Sequence, residues 1–166
     1  MSKQILSIDQ VLRDSISRLL ISKGLTVSVA ESCTGGFIST FLTSGSGASS
    51  FFKGSMISYS NESKINLLDI NASLIETNGV VSKAVVEKMA DSVRRRYNTS
   101  YGLATTGYLE LNNTQSIDTN YGLHAWISLA KHNNIMSKLL ILHKSRAENI
   151  SDVSHILLNL FRKEII

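Results

Sequence analysis

Hydrophobic residues along the chain follow two different spacings, which predict helices interleaved with short strands. Apolar residues that recur at every third or fourth position predict amphipathic helices at 8–23, 82–97 and 148–162. Shorter helical patterns lie at 34–42, after Asn61, which is a residue type that caps helices, and at 71–77, where a helix and a turn both fit. Apolar runs bounded by turn residues predict strands at 26–30, 51–59, 101–106, 123–130 and 135–142. This alternation predicts an α/β fold, a three-layer α/β/α architecture with a mixed sheet, in a single domain spanning 1–166.

Composition narrows the class of protein. A hydrophobic fraction of 43% and a charged fraction of 18% over 166 residues are typical of one soluble globular domain. No apolar run approaches the roughly 20 residues that span a membrane, and Asp9 and Arg13 interrupt the first run, so we expect neither a membrane partner nor a signal peptide. The single cysteine, Cys33, excludes an internal disulfide and favours the cytoplasm.

The charge pattern gives little support for a nucleic-acid partner. The net charge of +4 weakly favours an anionic ligand of any kind. The arginine run at 94–96 is short, has no interleaved aromatic residues, and lies where cations complement the dipole of the preceding helix. We therefore expect no nucleic-acid partner.

Two predicted strands end in hydroxyl and glycine residues. The strand at 26–30 leads into Ser32-Cys33-Thr34-Gly35-Gly36, and the strand at 101–106 ends in Thr106-Gly107. In α/β sheets such strand ends meet in one crevice, where the free backbone N–H groups of a helix start can bind a phosphate or an oxyanion. The pattern therefore predicts a ligand site that includes the hydroxyls of Ser32 and Thr34.

A serine nucleophile needs a base, and Lys64 is a better candidate than any histidine. None of the four histidines lies next to a motif, no pair of them has metal-ligand spacing, and Cys33 has no cysteine partner, so we expect no metal site. Holding a lysine neutral near pH 7.5 costs roughly 4 kcal/mol against its ordinary pKa of about 10.4, and burial among apolar groups can supply that shift. Tyr59 could relay a proton between Ser32 and Lys64, or donate one to the leaving group.

Several motifs together resemble one known family. They are Ala30-Glu31-Ser32-Cys33-Thr34-Gly35-Gly36, the loop from Gly45 to Ser50, Tyr59-Ser60-Asn61-Glu62-Ser63-Lys64, Asn78-Gly79-Val80-Val81-Ser82 and Thr106-Gly107. In these motifs the chain resembles the CinA C-terminal domain family, the nicotinamide-nucleotide amidases. The resemblance implies a Ser-Tyr-Lys catalytic set made of Ser32, Tyr59 and Lys64. It further implies deamidation of nicotinamide mononucleotide to nicotinic acid mononucleotide plus ammonia, with no metal and no organic cofactor, by a homodimer or larger homo-oligomer.

The implied reaction needs groups that bind a nucleotide substrate. The backbone N–H groups around Thr34 to Gly36 are candidates for holding the oxyanion or a substrate oxygen. Candidate donors to the substrate phosphate are Thr106, Gly107, Arg146 and the loop from Ser44 to Ser50. The candidate substrate-binding residues are Thr34, Gly35, Gly36, Ser49, Thr106, Gly107 and Arg146.

After Gly107 the chain departs from the pattern of that family. The family continues with an alanine, a Gly-Pro pair and further glycines, whereas this chain reads Tyr108-Leu109-Glu110-Leu111-Asn112-Asn113. Bulkier residues restrict the close approach of backbone to a ligand that glycine permits. Two functions therefore stay open: the amidase, and a catalytically impaired relative that binds a nucleotide or a protein partner. The predicted polar loop at 108–120 distinguishes them, because a pocket left over Ser32 favours the enzyme.

Overall fold

The strands form one mixed sheet whose parallel part leads into the motif at Ser32. The computed structural model describes residues 6–111 and 120–166. The strands are β1 (Val27–Glu31), β2 (Phe52–Ile57), β3 (Tyr101–Tyr108), β4 (His124–Lys131) and β5 (Asn134–Ile141). Their order is β2-β1-β3-β4-β5; β1 is parallel to β2 and to β3, and the hairpin of β4 and β5 continues the sheet with antiparallel pairing. Because the three parallel strands end at one edge, the residues that follow β1 and β2 meet the end of β3 there.

Helices cover both faces of this sheet. On one face lie α1 (Gln10–Lys23), α2 (Phe37–Thr43) and α6 (Arg146–Glu164). On the other face lie α3 (Asn61–Leu68), α4 (Ala72–Asn78) and α5 (Lys83–Arg96). The predicted three-layer α/β/α architecture with a mixed sheet is confirmed. Within the described ranges, no helix combines the length and the apolar character that crossing a membrane requires.

Each face of the sheet has its own hydrophobic core. Alternate residues of a strand point to opposite faces, so Val27 and Val29 pack with α1, α2 and α6, whereas Ala30 packs under α5. Small residues on the α5 side let that helix lie close to the sheet. A Cβ added at Gly102 would lie 2.1 Å from the carbonyl oxygen of Ala90, so α5 packs on β3 at a distance that only glycine permits.

The helix after the Ser32 motif starts later than the sequence predicted. It was expected from position 34, but α2 begins at Phe37. Gly35 and Gly36 have φ angles of 59° and 99°, which belong to the left-handed region and cannot continue a right-handed helix. The residues between Ser32 and Phe37 therefore form a tight turn.

Two further boundaries near the site differ from prediction. Antiparallel pairing with β4 carries β3 to Tyr108, so the predicted loop starts later, and 112–119 lie outside the described residues. α6 starts at Arg146 instead of Glu148, because the Glu148 carboxylate accepts hydrogen bonds from the N–H and the hydroxyl of Ser145 and caps the earlier position. Arg146 consequently occupies the first turn of a helix.

The arginine run at the end of α5 is paired with acidic side chains. Arg94 and Arg95 lie 3.0 and 2.7 Å from the two carboxylate oxygens of Asp91. Arg96 lies 2.7 Å from a carboxylate oxygen of Asp69. These pairs support a structural role for the arginine run over a role in binding nucleic acid, since each cation already has an acidic partner within the protein.

Candidate active site

A cavity of about 440 Å³ opens at the edge where the parallel strands end. The turn after β1, the connection between β2 and α3, the end of β3 and the start of α6 all contribute to its wall. The predicted site residues that line it are Ser32, Tyr59, Lys64, Thr106, Gly107 and Arg146. The sheet topology therefore brings together residues from three separate motifs of the sequence, and Arg146 joins them from the start of α6.

Ser32 is held in place by the ends of the neighbouring strands. Its N–H donates to the carbonyl of Thr105 at 3.2 Å, which extends the pairing of β1 with β3 by one residue. On the other side, the N–H of Ser58 donates to the carbonyl of Glu31 at 2.8 Å and extends the pairing of β1 with β2. The strand end is held from both sides, so the backbone position of Ser32 is fixed with it.

Lys64 reaches Ser32 directly from α3. This helix is capped by Ser60, not by Asn61 as predicted: the Ser60 hydroxyl accepts from the N–H of Ser63 at 3.1 Å. From the first turns of α3, the Lys64 ammonium lies 2.9 Å from the Ser32 hydroxyl and 2.7 Å from the carbonyl oxygen of Ser58.

The environment of Lys64 lowers the pKa of its amine, so that more of it is neutral, and able to accept a proton, near neutral pH. The side chain is 1% exposed, and both of its hydrogen-bond acceptors are uncharged. Desolvation by burial lowers the pKa of Lys64 from 10.5 to about 8. A neutral amine keeps one N–H on the Ser58 carbonyl while its lone pair accepts the proton of Ser32. The pair Ser32–Lys64 therefore has the geometry of a nucleophile with its base.

Tyr59 lies at the mouth of the cavity and does not bridge the other two. Its side chain is 58% exposed, and its hydroxyl accepts a hydrogen bond from the Arg146 guanidinium. Among the described residues, Ser32 and Lys64 contact each other without Tyr59 between them. The structure thus does not support the predicted relay of a proton through Tyr59, and it leaves the tyrosine hydroxyl beside a cation at the entrance.

The first turn of α2 is occupied by a carboxylate from within the chain. Glu31 is fully buried, and one of its oxygens accepts from the N–H groups of Gly36 and Ile38, both at 3.1 Å, and from the Thr34 hydroxyl at 2.7 Å. Its other oxygen accepts from the N–H and the hydroxyl of Ser39 at 2.8 and 2.6 Å. The Glu31 carboxylate thus accepts hydrogen bonds from the free N–H groups at the start of α2, where the helix dipole favours a negative charge.

The hydrogen bonds in this turn contradict the prediction that its glycine N–H groups hold an oxyanion or a substrate oxygen. The N–H of Gly36 points to Glu31, and the N–H of Gly35 donates to the carbonyl of Ser32 at 3.1 Å. The Thr34 side chain is 2% exposed and bonded to Glu31 and, at 2.9 Å, to Thr105. Neither glycine N–H is free to hold an oxyanion, because both are paired inside the protein. The turn instead positions Ser32.

The remaining predicted residues separate into two groups. Thr106 and Gly107 line the cavity; the Thr106 hydroxyl donates to the carbonyl of Val80 at 3.0 Å and so ties β3 to the turn before α5. At Gly107 a Cβ would lie 2.7 Å from the Cβ of Ala125, so glycine is also required by the packing of β4. Ser49 lies in a short 3-10 helix at Ala48–Ser50 and is absent from the cavity wall in the described structure.

Cys33 follows Ser32 in the chain but is poorly suited to act as a nucleophile itself. Its side chain is 5% exposed, and desolvation by burial raises the pKa of the thiol to about 12. A thiol is reactive only as its thiolate, which this environment disfavours. No group of histidine, cysteine and carboxylate side chains that could hold a metal occurs among residues 6–111 and 120–166.

Three residues of the site had no role in the sequence analysis: Glu31, Ser58 and Glu110. Glu31 could have been found, since a carboxylate at the end of an apolar strand must have donors when it is buried. Ser58 acts through its carbonyl, and its buried hydroxyl has no hydrogen-bond partner among the described residues. Glu110 pairs with Arg146 at 3.2 Å, a contact between positions that no local pattern connects.

Known proteins match the chain over nearly its whole length. The model of the CinA C-terminal domain family matches residues 9–165. The CinA-like protein of Flavobacterium psychrophilum is 35% identical over 158 residues, which are 95% of this chain and 37% of that protein. The chain spans less than two fifths of the length of such curated relatives.

Solved structures of low sequence identity share the fold. The crystal structure of the competence damage-inducible protein A (ComA) from Klebsiella pneumoniae is 20% identical and superposes with a TM-score of 0.88 over 96% of this chain and 98% of that chain. The competence/damage inducible protein CihA from Agrobacterium tumefaciens is 22% identical, with a TM-score of 0.85 over 97% of this chain and 96% of that chain. With the family match over residues 9–165, these comparisons confirm what the motifs predicted: the chain belongs to the CinA C-terminal domain family.

Proposed function

We propose that this domain is an amidohydrolase that converts nicotinamide mononucleotide and water to nicotinic acid mononucleotide and ammonia, with Ser32 as nucleophile. The observation that carries the proposal is the contact of 2.9 Å between the Ser32 hydroxyl and the buried amine of Lys64. With a lysine pKa of about 8, about a quarter of the molecules hold this amine neutral near pH 7.5. That fraction has a base in place beside the nucleophile.

The chemistry follows from this pair. The oxygen of Ser32 bonds to the carboxamide carbon while its proton passes to Lys64. Lys64 returns the proton to the amide nitrogen as the carbon–nitrogen bond breaks, and ammonia leaves. A water molecule then attacks the ester carbon, again giving a proton to Lys64, and hydrolysis releases the acid and restores the Ser32 hydroxyl.

The mouth of the cavity offers groups for the rest of the substrate. The Arg146 guanidinium is a candidate partner for the phosphate, because its planar donors match phosphate oxygens. Tyr59 shares this entrance and would contact the substrate there, while Thr106 and Gly107 form the wall at the end of β3. These positions support a substrate whose amide reaches Ser32 while its charged end stays near the entrance.

The described residues after Gly107, where the sequence departs from the family pattern, support an enzyme over a catalytically impaired binding protein. Leu109 is packed into the core at 1% exposure, and Tyr108 forms part of the wall, so a cavity remains beside Ser32. A side chain filling that space would have favoured a relative that only binds a nucleotide or a protein. A homodimer or larger homo-oligomer and a cytoplasmic location stay predictions.

The proposal is tested by ammonia release from nicotinamide mononucleotide. We expect release by the wild type and a loss of at least about 100-fold in Ser32→Ala, because the nucleophile is gone. Ser22→Ala is the matched control, since Ser22 lies exposed in α1 and its hydroxyl bonds only within that helix. The proposal is refuted if the wild type releases no more ammonia than Ser32→Ala.

A further inference from the structure

An ion pair crosses the mouth of the cavity. Arg146 and Glu110 both line it, and one guanidinium nitrogen lies 3.2 Å from a Glu110 carboxylate oxygen. The other terminal nitrogen donates to the Tyr59 hydroxyl. The two charged side chains are 37% and 52% exposed, so both can meet an incoming ligand. The guanidinium therefore already has an internal anionic partner at the entrance.

An anionic substrate that enters the cavity meets this ion pair first. The charged residues of the described wall are Lys64, Glu110 and Arg146. Lys64 is buried and points to Ser32, so among the described residues at the entrance a single cation faces a single carboxylate. A phosphate that approaches Arg146 competes with Glu110 for the same donors and is repelled by that carboxylate. A positively charged pyridinium ring meets no such penalty.

We infer that Glu110 determines the charge selectivity of this site. It competes with the substrate phosphate for Arg146, and so it favours the cationic nucleoside amide, nicotinamide riboside, relative to the phosphorylated nicotinamide mononucleotide. The inference rests on the proposed function, because it takes the pyridine amide to reach Ser32 while the ribose end lies at the mouth. The two compounds differ only in the phosphate, so comparing them isolates the group that Glu110 opposes.

The test measures binding without turnover. Calorimetric titrations use the two amides against the Ser32→Ala protein, alone and with Glu110→Gln added. We expect Glu110→Gln to tighten nicotinamide mononucleotide binding by about three- to tenfold, because an exposed competing charge is removed. Binding of nicotinamide riboside should change less than about twofold or weaken, since it carries no phosphate.

A matched control removes the same charge elsewhere. Glu62 lies exposed in the first turn of α3 outside the cavity wall, so Glu62→Gln should change binding of both amides by less than about twofold. Adding Arg146→Gln to Glu110→Gln should remove the gain for the nucleotide. The inference is overturned if Glu110→Gln changes both amides equally, changes neither, or if neither amide binds.

Measuring turnover distinguishes a failure of this inference from a failure of the proposed function. Ammonia release is measured with the same two amides in proteins that retain Ser32. Selective tightening without any ammonia would refute the amidase and leave the charge selectivity standing. Ammonia release with unchanged selectivity in Glu110→Gln would refute the role of Glu110 and leave the amidase standing.

Discussion

The burial of Lys64 makes a quantitative prediction about stability and pH. Its pKa is lowered from 10.5 to about 8 in the folded protein because burial removes the ammonium from water. Between these values the unfolded chain holds the proton and the folded chain has lost it, so folding stability rises with pH. Lys64→Met has a similar volume and no charge, and it lacks this contribution. Relative to Lys64→Met, the wild type should gain about 2.5 kcal/mol of unfolding free energy from about pH 7 to about pH 10.

The assay compares urea unfolding of the two proteins across this range. Trp126, the only tryptophan, lies in β4 and reports unfolding by fluorescence. Burial also raises the pKa values of Cys33 and Tyr101, but these groups are present in both proteins, so their contributions cancel in the difference. The quantity to follow is the wild-type unfolding free energy minus that of Lys64→Met at each pH.

Two results would contradict the reasoning. A difference that stays constant within about 0.5 kcal/mol over this range would mean that folded Lys64 keeps its proton beyond pH 10, so it could not serve as a base near neutral pH. A difference that falls with rising pH would mean that folding raises the pKa of Lys64, as an ion pair would. Either outcome removes the physical basis of the Ser32–Lys64 pair.

Four further measurements test other parts of the site. The kcat/KM for ammonia release should rise with pH and level off above about 8, because the proposed base is the neutral form of Lys64; a flat profile from about pH 6 to 9 would contradict this. Glu31→Gln should lower the unfolding free energy by about 2–4 kcal/mol in urea titrations, because an amide cannot accept from all five donors that face the carboxylate; a loss below about 0.5 kcal/mol would show that they find water instead. Gly107→Ala should cost about 1–3 kcal/mol, because the new Cβ would lie 2.7 Å from that of Ala125; an unchanged midpoint would mean that β4 shifts freely. The Cys33 thiol, with a pKa near 12, should react slowly with alkylating reagents in the native protein and fast in urea, and equal rates would show that it is accessible.

Local patterns in the sequence determined the helices, the strands and the layered architecture, but not the order of the strands in the sheet. The apolar face of α5 could be predicted from the sequence, because helix propensity and spacing act over a few neighbouring residues. The strand ends at Ser32 and Thr106 were readable for the same reason, and the rule that parallel strands end at one edge placed them in one cavity. The architecture and the region of the site therefore followed from short-range information.

The tertiary structure decided which side chains meet and in what state. Whether Lys64 touches Ser32 directly, and whether Tyr59 joins them, depends on the exact approach of α3 to the sheet. The occupation of the α2 N-terminus by Glu31 likewise required a folded turn with two left-handed glycines.

Protonation and pairing depend on the same three-dimensional information. The lowered pKa of Lys64 comes from burial by segments distant in the chain, and the Glu110–Arg146 pair forms only where β3 and α6 converge. Periodicity and propensity describe what each residue prefers beside its neighbours in sequence. Desolvation and hydrogen bonding depend on neighbours in space, and only the completed packing of sheet and helices defines those.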